Sequence, residues 1–528
     1  MRSNKAKSIL QAIGVAMSTT LLAAGVDSDA DKLITRALGT GQSDFFNRQT
    51  IPTAPLAVSR PVAEWEPAAF VWINLSLGRS LQEPEVLAFY QAIAGAVSEF
   101  VPVVIGCDFD ELKYWSRFER EFFKEGKFFG KRDHIHFVDT KCDSNWNRDY
   151  GPSFARGMNG ELVFIDSMYR EGQAEREAFG DKRSELLSQA PSQTKELFQA
   201  FRRNARRAEL APLALARHCR SRLGMAVDLT RPALVLHGGD YLSDGRRAFL
   251  SEDTLMNNGG RESALQSLFQ HYFAVDELHV LEALPGRAVK HMDLSWKLLS
   301  ADTAVIAEAP RKANNSGRYA SNLRTKAERA LSRNKHYLQT HCPDIELLDV
   351  PMPPLLHDQR EEVILNIWIH VIRGACREVK VPFDNYWYVE KPGPDYPETK
   401  ARVEGRLTEI LGREPNFGDE GDLNLLSIHY LGESVETSIQ THVESSTVYR
   451  SYTNSVIVNA GEKGILLLLP RYRASKGEHQ EDYQKMEVAV EIAYRKAYPE
   501  ASIRWIDSDF MARRGGALHC ASITVPLP

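Results

Sequence analysis

Short runs of consecutive apolar residues recur between polar stretches along the 528-residue chain. AAFVWI within 63–75 is the first, followed by PVVIG within 97–107, HIHFVDT at 134–140 and ELVFID at 161–166. The series continues with RPALVLHGG at 231–239, DELHVLEAL at 276–284, TAVIAEA at 303–309, IELLDVPMP at 345–353, NSVIVNA at 454–460 and GILLLLP at 464–470. Each is a β-branched or apolar core bounded by turn formers, which predicts a short buried strand. Helical spacing fills the intervals, notably in ELKYWSRFEREFFKEGK at 111–127, over 171–224 and over 480–498. Strands alternating with helices along the whole chain predict an α/β or α+β architecture.

Two stretches break this rhythm. Residues 171–225 are rich in Arg, Glu and Gln with little strand character, and read as surface helices. Residues 356–448, containing KPGPDYPETK and NFGDEGD, interrupt the strand series. Packed decoration and a substrate-selecting lid are the two readings of such segments. The N-terminus divides into a leader over 1–25, a Pro-spaced linker over 26–60, and the folded body over 61–528. Arg2, Lys5 and Lys7 precede SILQAIGVAMSTTLLAAG, a pattern similar to a secretory signal, which implies a secreted or periplasmic protein. A surface helix on a cytoplasmic protein is the alternative. No other stretch approaches the ~18 apolar residues of a membrane span.

Apolar residues at 43% and charged residues at 26% are ordinary globular values. The net charge of −5 lacks the basic bias of nucleic-acid proteins. Cysteines at 107, 142, 219, 342, 376 and 520 form no CxxC pair and fit no zinc module, so most read as small buried apolar residues. Cys520 differs, because it ends GGALHC at 515–520, where paired glycines let the backbone approach a ligand.

Three other polar clusters carry matching chemistry. WNRDYGP at 146–152 offers the Asp149 carboxylate, with Trp146 as a wall and Tyr150-Gly-Pro as a turn closing a strand. KHMDLSWK at 290–297 places His291 and Asp293 two apart, on one face if the segment is a strand, with Lys290 and Lys297 adding positive field. HGGD at 237–240 puts Gly239 and Asp240 after a strand, ahead of a hairpin with an SDG turn at 243–245. A thiol, a histidine and carboxylates together suit a planar guanidinium. Carboxylates hold its N–H fork, a thiolate attacks its carbon, and a histidine moves the protons. Taken singly, each cluster is equally well a structural turn, a satisfied histidine or a buried cysteine.

The order AEWEP, NWNRDYGP, GG-D, KHMDLSWK, SYTNSVIVN, LLLLPRY and GGALHC resembles the agmatine deiminase and Porphyromonas-type peptidylarginine deiminase family. That resemblance implies a pentein fold, a pseudo-fivefold β/α propeller with helical insertions. It implies Cys520 as nucleophile, His291 as proton-transferring base and acid, and Asp149 and Asp293 as the carboxylates holding the guanidinium. Trp146, Gly239 and Asp240 would line the substrate pocket. No metal or organic cofactor is implied.

Within the family the wording lies closer to the peptidylarginine branch, whose substrate is arginine in a peptide or protein. Agmatine deiminases usually carry an acidic residue before Gly-Gly and a glycine before the histidine, where this chain has His237 and Lys290. Arginines near the strand after RDYGP hold a carboxylate in the peptidylarginine branch, which puts Arg170 forward for substrate binding. The competing readings are a deiminase of agmatine or another small guanidine, an amidinotransferase passing the amidino group to an amine, and a non-catalytic binding protein on the same scaffold.

Overall fold

The computed structural model describes residues 53, 55–140, 144–169, 208, 210–232, 234–286, 290–312, 318–356, 360–383, 386, 396–417, 419–475 and 478–528. The leader reading over 1–25, most of the linker, Arg170 and most of the 171–225 segment lie outside these residues.

Seventeen strands are present among them. They are β1 (Val58–Pro61), β2 (Ala68–Asn74), β3 (Val103–Cys107), β4 (Ile135–Asp139), β5 (Ser153–Gly157), β6 (Leu162–Ile165), β7 (Val227–Thr230), β8 (Tyr241–Ser243) and β9 (Arg247–Ser251). Then follow β10 (Glu277–Leu281), β11 (Trp296–Leu298), β12 (Thr303–Pro310), β13 (Glu346–Met352), β14 (Val456–Asn459), β15 (Ile465–Arg471), β16 (Ser502–Asp507) and β17 (Ser522–Pro526).

These strands form five small sheets, and one pairing pattern repeats in each. An antiparallel pair comes first, and its second strand then pairs in parallel with a third. The trios are β17–β2–β3, β5–β6–β7, β8–β9–β10, β11–β12–β13 and β14–β15–β16. β4 and β1 extend the first two sheets. A parallel pair needs a crossover, and helices supply all five: 84–98, 211–222, 262–273, 318–341 and 480–497. The last strand pairs with β2, so the C-terminal segment is sewn into the first sheet.

Local sequence explains these elements. β2 is almost wholly buried, as is β3, which suits continuous apolar runs in sheets covered on both faces. The 84–98 helix opens with Pro84 and buries Val86, Phe89, Tyr90, Ile93, Ala94 and Val97, the inward stripe of an amphipathic helix. Cys107, Cys219, Cys342 and Cys376 are buried. Among the described residues no helix is long and apolar enough to cross a membrane.

Three expectations change. The described residues of 231–239 form no strand; Val235 makes one isolated bridge to Met168, and Pro232 can donate no ladder bond. The strand of this region is β7, just upstream, where polar Asp228 and Thr230 hide it. His291-Met-Asp293 is not a strand either: His291 is extended, and Met292–Leu294 make a 3₁₀ turn. Asp149 lies in a single helical turn, Asn147–Tyr150, that precedes β5 and ends no strand. The hairpin at 243–245 is present, with Gly245 at φ 91°.

The described residues of the 356–448 segment include the helices Arg360–Glu378, Tyr396–Leu411, Glu420–Leu431 and Val435–Ser446. Val363, Ile367, Trp368 and Val371 pack with Val403, Leu407, Leu423, Leu426 and Ile439 in a separate apolar core. The segment enters and leaves through a two-residue neck, where Leu356 and Val448 exchange backbone hydrogen bonds of 3.1 and 2.8 Å.

Candidate active site

Every cluster singled out in the sequence falls at the same place in its sheet, immediately ahead of the strand that opens the antiparallel pair. Asn147–Tyr150 precedes β5, Gly238–Asp240 precedes β8, Met292–Leu294 precedes β11, Ser451–Ser455 precedes β14, and Leu518–Cys520 precedes β17.

These five segments touch one another in cyclic order. Gly238 packs against the Arg148 carbonyl so closely that a Cβ would stand 2.1 Å from it. A Cβ on Gly239 would lie 2.6 Å from His291 Nδ1 and 3.2 Å from Asp293 Oδ2. Thr453 Oγ1 donates to the Asp293 carbonyl at 2.8 Å. Asn454 Oδ1 accepts from the His519 backbone N–H at 3.0 Å, and the Arg148 N–H donates to the Cys520 carbonyl at 3.2 Å. The ring of segments is thus closed, and it needs glycine at 238 and 239 for its close approaches.

Inside the ring Cys520 is buried, with 2% exposure. Asn454 Nδ2 donates to its sulfur at 3.2 Å, and the thiol stands 3.5 Å from Asp293 Oδ2. Burial, together with the negative charges of Asp293 and Asp149, pushes the thiol well above its usual value. A cation is therefore needed beside it before thiolate can form near neutral pH. Asp293 is fully buried. Burial alone would raise its carboxyl, yet the His519 hydrogen bond and the His519 and His291 charges hold it below the usual carboxylate range. Its Oδ1 has no hydrogen-bond partner among the described residues.

His291 lies 3.5 Å from Asp149 Oδ1 through Nδ1, and 3.2 Å from His237 Nδ1 through Nε2. Burial pulls its pKa down, but the charges of Asp149, Asp293 and Asp240 outweigh that and leave it raised. Asp240 accepts from Ser251 Oγ at 2.6 Å and also from Thr254. Burial pushes its carboxyl up to about 6, against the pull of His291. Trp146 is half-buried and flanks Cys520, since a Cβ on Gly516 would stand 2.5 Å from the indole and 2.8 Å from Cys520 Cβ.

The structure thus gathers Cys520, His291, Asp149, Asp293, Asp240, Gly239 and Trp146 in one place, while Arg170 lies outside the described residues. Lys297 is not positioned as a free positive field: its ammonium is bound by Glu64 Oε2 at 2.5 Å. Lys290 faces Asp253 at 3.4 Å. Asn454, His519 and Glu64 were missed as site residues, although AEWEP and SYTNS both stood out as sequence patterns. Glu64 Oε1 accepts from His519 Nε2 at 2.6 Å and pairs with Arg148 at 2.9 Å. Among the described residues no group of three or more His, Cys, Asp or Glu is arranged to hold a metal ion.

Such an arrangement can receive a planar cation between buried carboxylates and present a sulfur to it. The model of the Porphyromonas-type peptidyl-arginine deiminase family matches residues 60–526. Among solved structures, C. jejuni agmatine deiminase superposes with a TM-score of 0.51 at 15% identity, over 89% of this chain and 97% of that one. A Porphyromonas gingivalis protein described as an arginine deiminase gives 0.51 at 13% identity, over 88% and 98%. Identities this low carry the fold alone. Comparison with the curated proteins gave no match.

Proposed function

Since this chain belongs to the Porphyromonas-type peptidyl-arginine deiminase family, we propose that it hydrolyses the guanidinium of arginine within a peptide or protein, leaving a ureido group and ammonia. The observation that carries this reading is the fully buried Asp293 carboxylate beside Cys520, with half-buried Asp149 near it and Asp293 Oδ1 lacking any partner among the described residues. A guanidinium N–H supplies the missing donor, and its charge offsets the negative field that suppresses the thiolate. We further propose that the five sheets stand as a pentein-type pseudo-fivefold propeller, with the ring of segments at its centre.

In this mechanism Asp149 and Asp293 hold the guanidinium nitrogens while the Cys520 thiol gives its proton to water and the sulfur attacks the central carbon. His291, charged beside Asp149, donates a proton to the departing nitrogen, and ammonia leaves. An amidino-thioether on Cys520 remains. Neutral His291 then takes a proton from water; the resulting hydroxide adds to the same carbon, and the C–S bond breaks as the hydroxyl proton passes to the departing sulfur, releasing the ureido product and restoring the thiol.

Peptidyl-arginine is favoured over agmatine by His237, which touches His291 where an acidic residue would otherwise stand. Agmatine is a dication, and an imidazole supplies no negative charge to offset its terminal ammonium. Arginine inside a peptide carries one charge. Incubation with agmatine and with peptides bearing internal or C-terminal arginine, followed by ammonia and ureido assays, tests the choice. Turnover of agmatine alone would overturn it in favour of the small-guanidine reading. Amidination of an acceptor amine without ammonia release would instead identify an amidinotransferase.

A further inference from the structure

Beneath the nucleophile lies a polar chain that the mechanism above leaves unused. His519, the neighbour of Cys520, does not face the substrate space. Its Nδ1 bonds Asp293 Oδ2 at 2.7 Å and its Nε2 bonds Glu64 Oε1 at 2.6 Å, with the ring 1% exposed. A carboxylate oxygen can only accept, so the ring donates from both nitrogens. Glu64 is fixed in turn by Lys297 at 2.5 Å and Arg148 at 2.9 Å. Arg148 is itself anchored through Nε to the carbonyls of His519 at 3.3 Å and Ser522 at 3.1 Å. Behind Glu64 a cavity of about 30 Å³ is lined by Glu64, Glu66 and Arg148.

We propose that Glu64, acting through His519, is a positioning residue for the substrate-holding carboxylate Asp293. The inference rests on Asp293 holding the guanidinium. With Oδ2 tied to His519, the Asp293 carboxylate is held in place, and Oδ1, without a partner among the described residues, is left for a guanidinium nitrogen. A histidine with a single fixed hydrogen could present a lone pair to Oδ2 instead, repel it and release the carboxylate. Glu64 prevents this because a carboxylate against Nε2 favours hydrogens on both ring nitrogens, so that an N–H still faces Oδ2, and because it holds the ring plane, as outer partners do for metal-bound histidines. Lys297 and Arg148 keep Glu64 ionised: despite its burial, their charges and that of His519 hold its carboxyl well below the usual range.

The test separates grip from fold. Full-length protein is treated with chloroacetamidine, a cationic alkylator shaped like a guanidinium, and with neutral chloroacetamide. Labelling of Cys520 is followed by mass spectrometry. Wild type should prefer the amidine strongly. Glu64→Gln leaves buried Lys297 short of a counter-charge, so the charge-balanced Glu64→Gln/Lys297→Met variant is measured beside it, with thermal melts for both. The proposal expects the amidine-to-amide preference to fall by about tenfold to a hundredfold in the folded variant, with the amide rate nearly unchanged. An unchanged preference in a folded variant overturns the proposal, and so does failure of both variants to fold, which would assign the cluster to stability alone. If wild-type Cys520 shows no preference for the amidine, the reading of Asp293 itself fails first.

Discussion

The α-carbon of Gly239 lies directly against His291, so that a methyl group added there would stand 2.6 Å from Nδ1. Glycine at 239 is thereby a condition for the imidazole's place beside Asp149. Gly239→Ala must push the ring away from its 3.5 Å approach to that carboxylate. Ammonia release should fall by about a hundredfold, with the melting temperature little changed, because the displaced ring sits at a pocket edge. Activity within a few-fold of wild type would show that His291 does not act from this position.

Asn454 makes two contacts with the nucleophile's own segment, through Nδ2 to the Cys520 sulfur and Oδ1 to the His519 N–H. Asn454→Ala removes a donor to the developing thiolate and should lower kcat by about tenfold to a thousandfold. A rise in KM with kcat untouched would assign the residue to substrate binding instead.

Substrate-free Cys520 should be a reluctant thiol. Burial and the charges of Asp293 and Asp149 disfavour the anion, so proton loss moves to higher pH. Labelling by neutral iodoacetamide should be slow at pH 7 and still climbing where an ordinary thiol of pKa about 8.5 has levelled off. A plateau near neutral pH would contradict this electrostatic picture.

Asp240 gives a stability signature. Its carboxyl sits at about 6 in the folded protein, against about 3.9 in an unfolded chain. The folded state therefore binds this proton more tightly. That contribution is complete below about pH 4 and is lost as pH rises through about 6. Asp240→Asn, which carries no charge at any pH, should gain on wild type by about 1–3 kcal/mol between pH 4 and pH 8. Denaturant titrations at the two pH values measure it, and a pH-independent difference would refute the assignment.

Much of this was legible from the chain. The runs at β2, β6, β14 and β15 declare themselves because strands buried on both faces are apolar over most of their length, and those at β12 and β13 because apolar residues outnumber the exposed Glu308, Glu346 and Asp349. β5, β16 and β17 were harder to see: SFARG, SIRWID and SITVP interleave polar residues with apolar ones over only five or six positions. At the site, Cys520, His291, Asp149 and Asp293 stood in motifs whose residue types announce their chemistry. Asn454, His519 and Glu64 did not, since an amide in a turn, a histidine beside a cysteine and one glutamate among many gain meaning only when segments hundreds of residues apart meet. The 3₁₀ turn at Met292–Leu294 shows the same limit: His291 and Asp293 converge because Gly239 lets them, not because of strand periodicity.

The central claim is that Cys520 attacks a guanidinium carbon. Its most direct measurement is ammonia release from an arginyl peptide by wild type and by Cys520→Ala, with a thermal melt of each. The account predicts ammonia and ureido product from wild type, and a loss of about a thousandfold or more in a variant that melts as wild type does. Turnover by folded Cys520→Ala near the wild-type rate would contradict it.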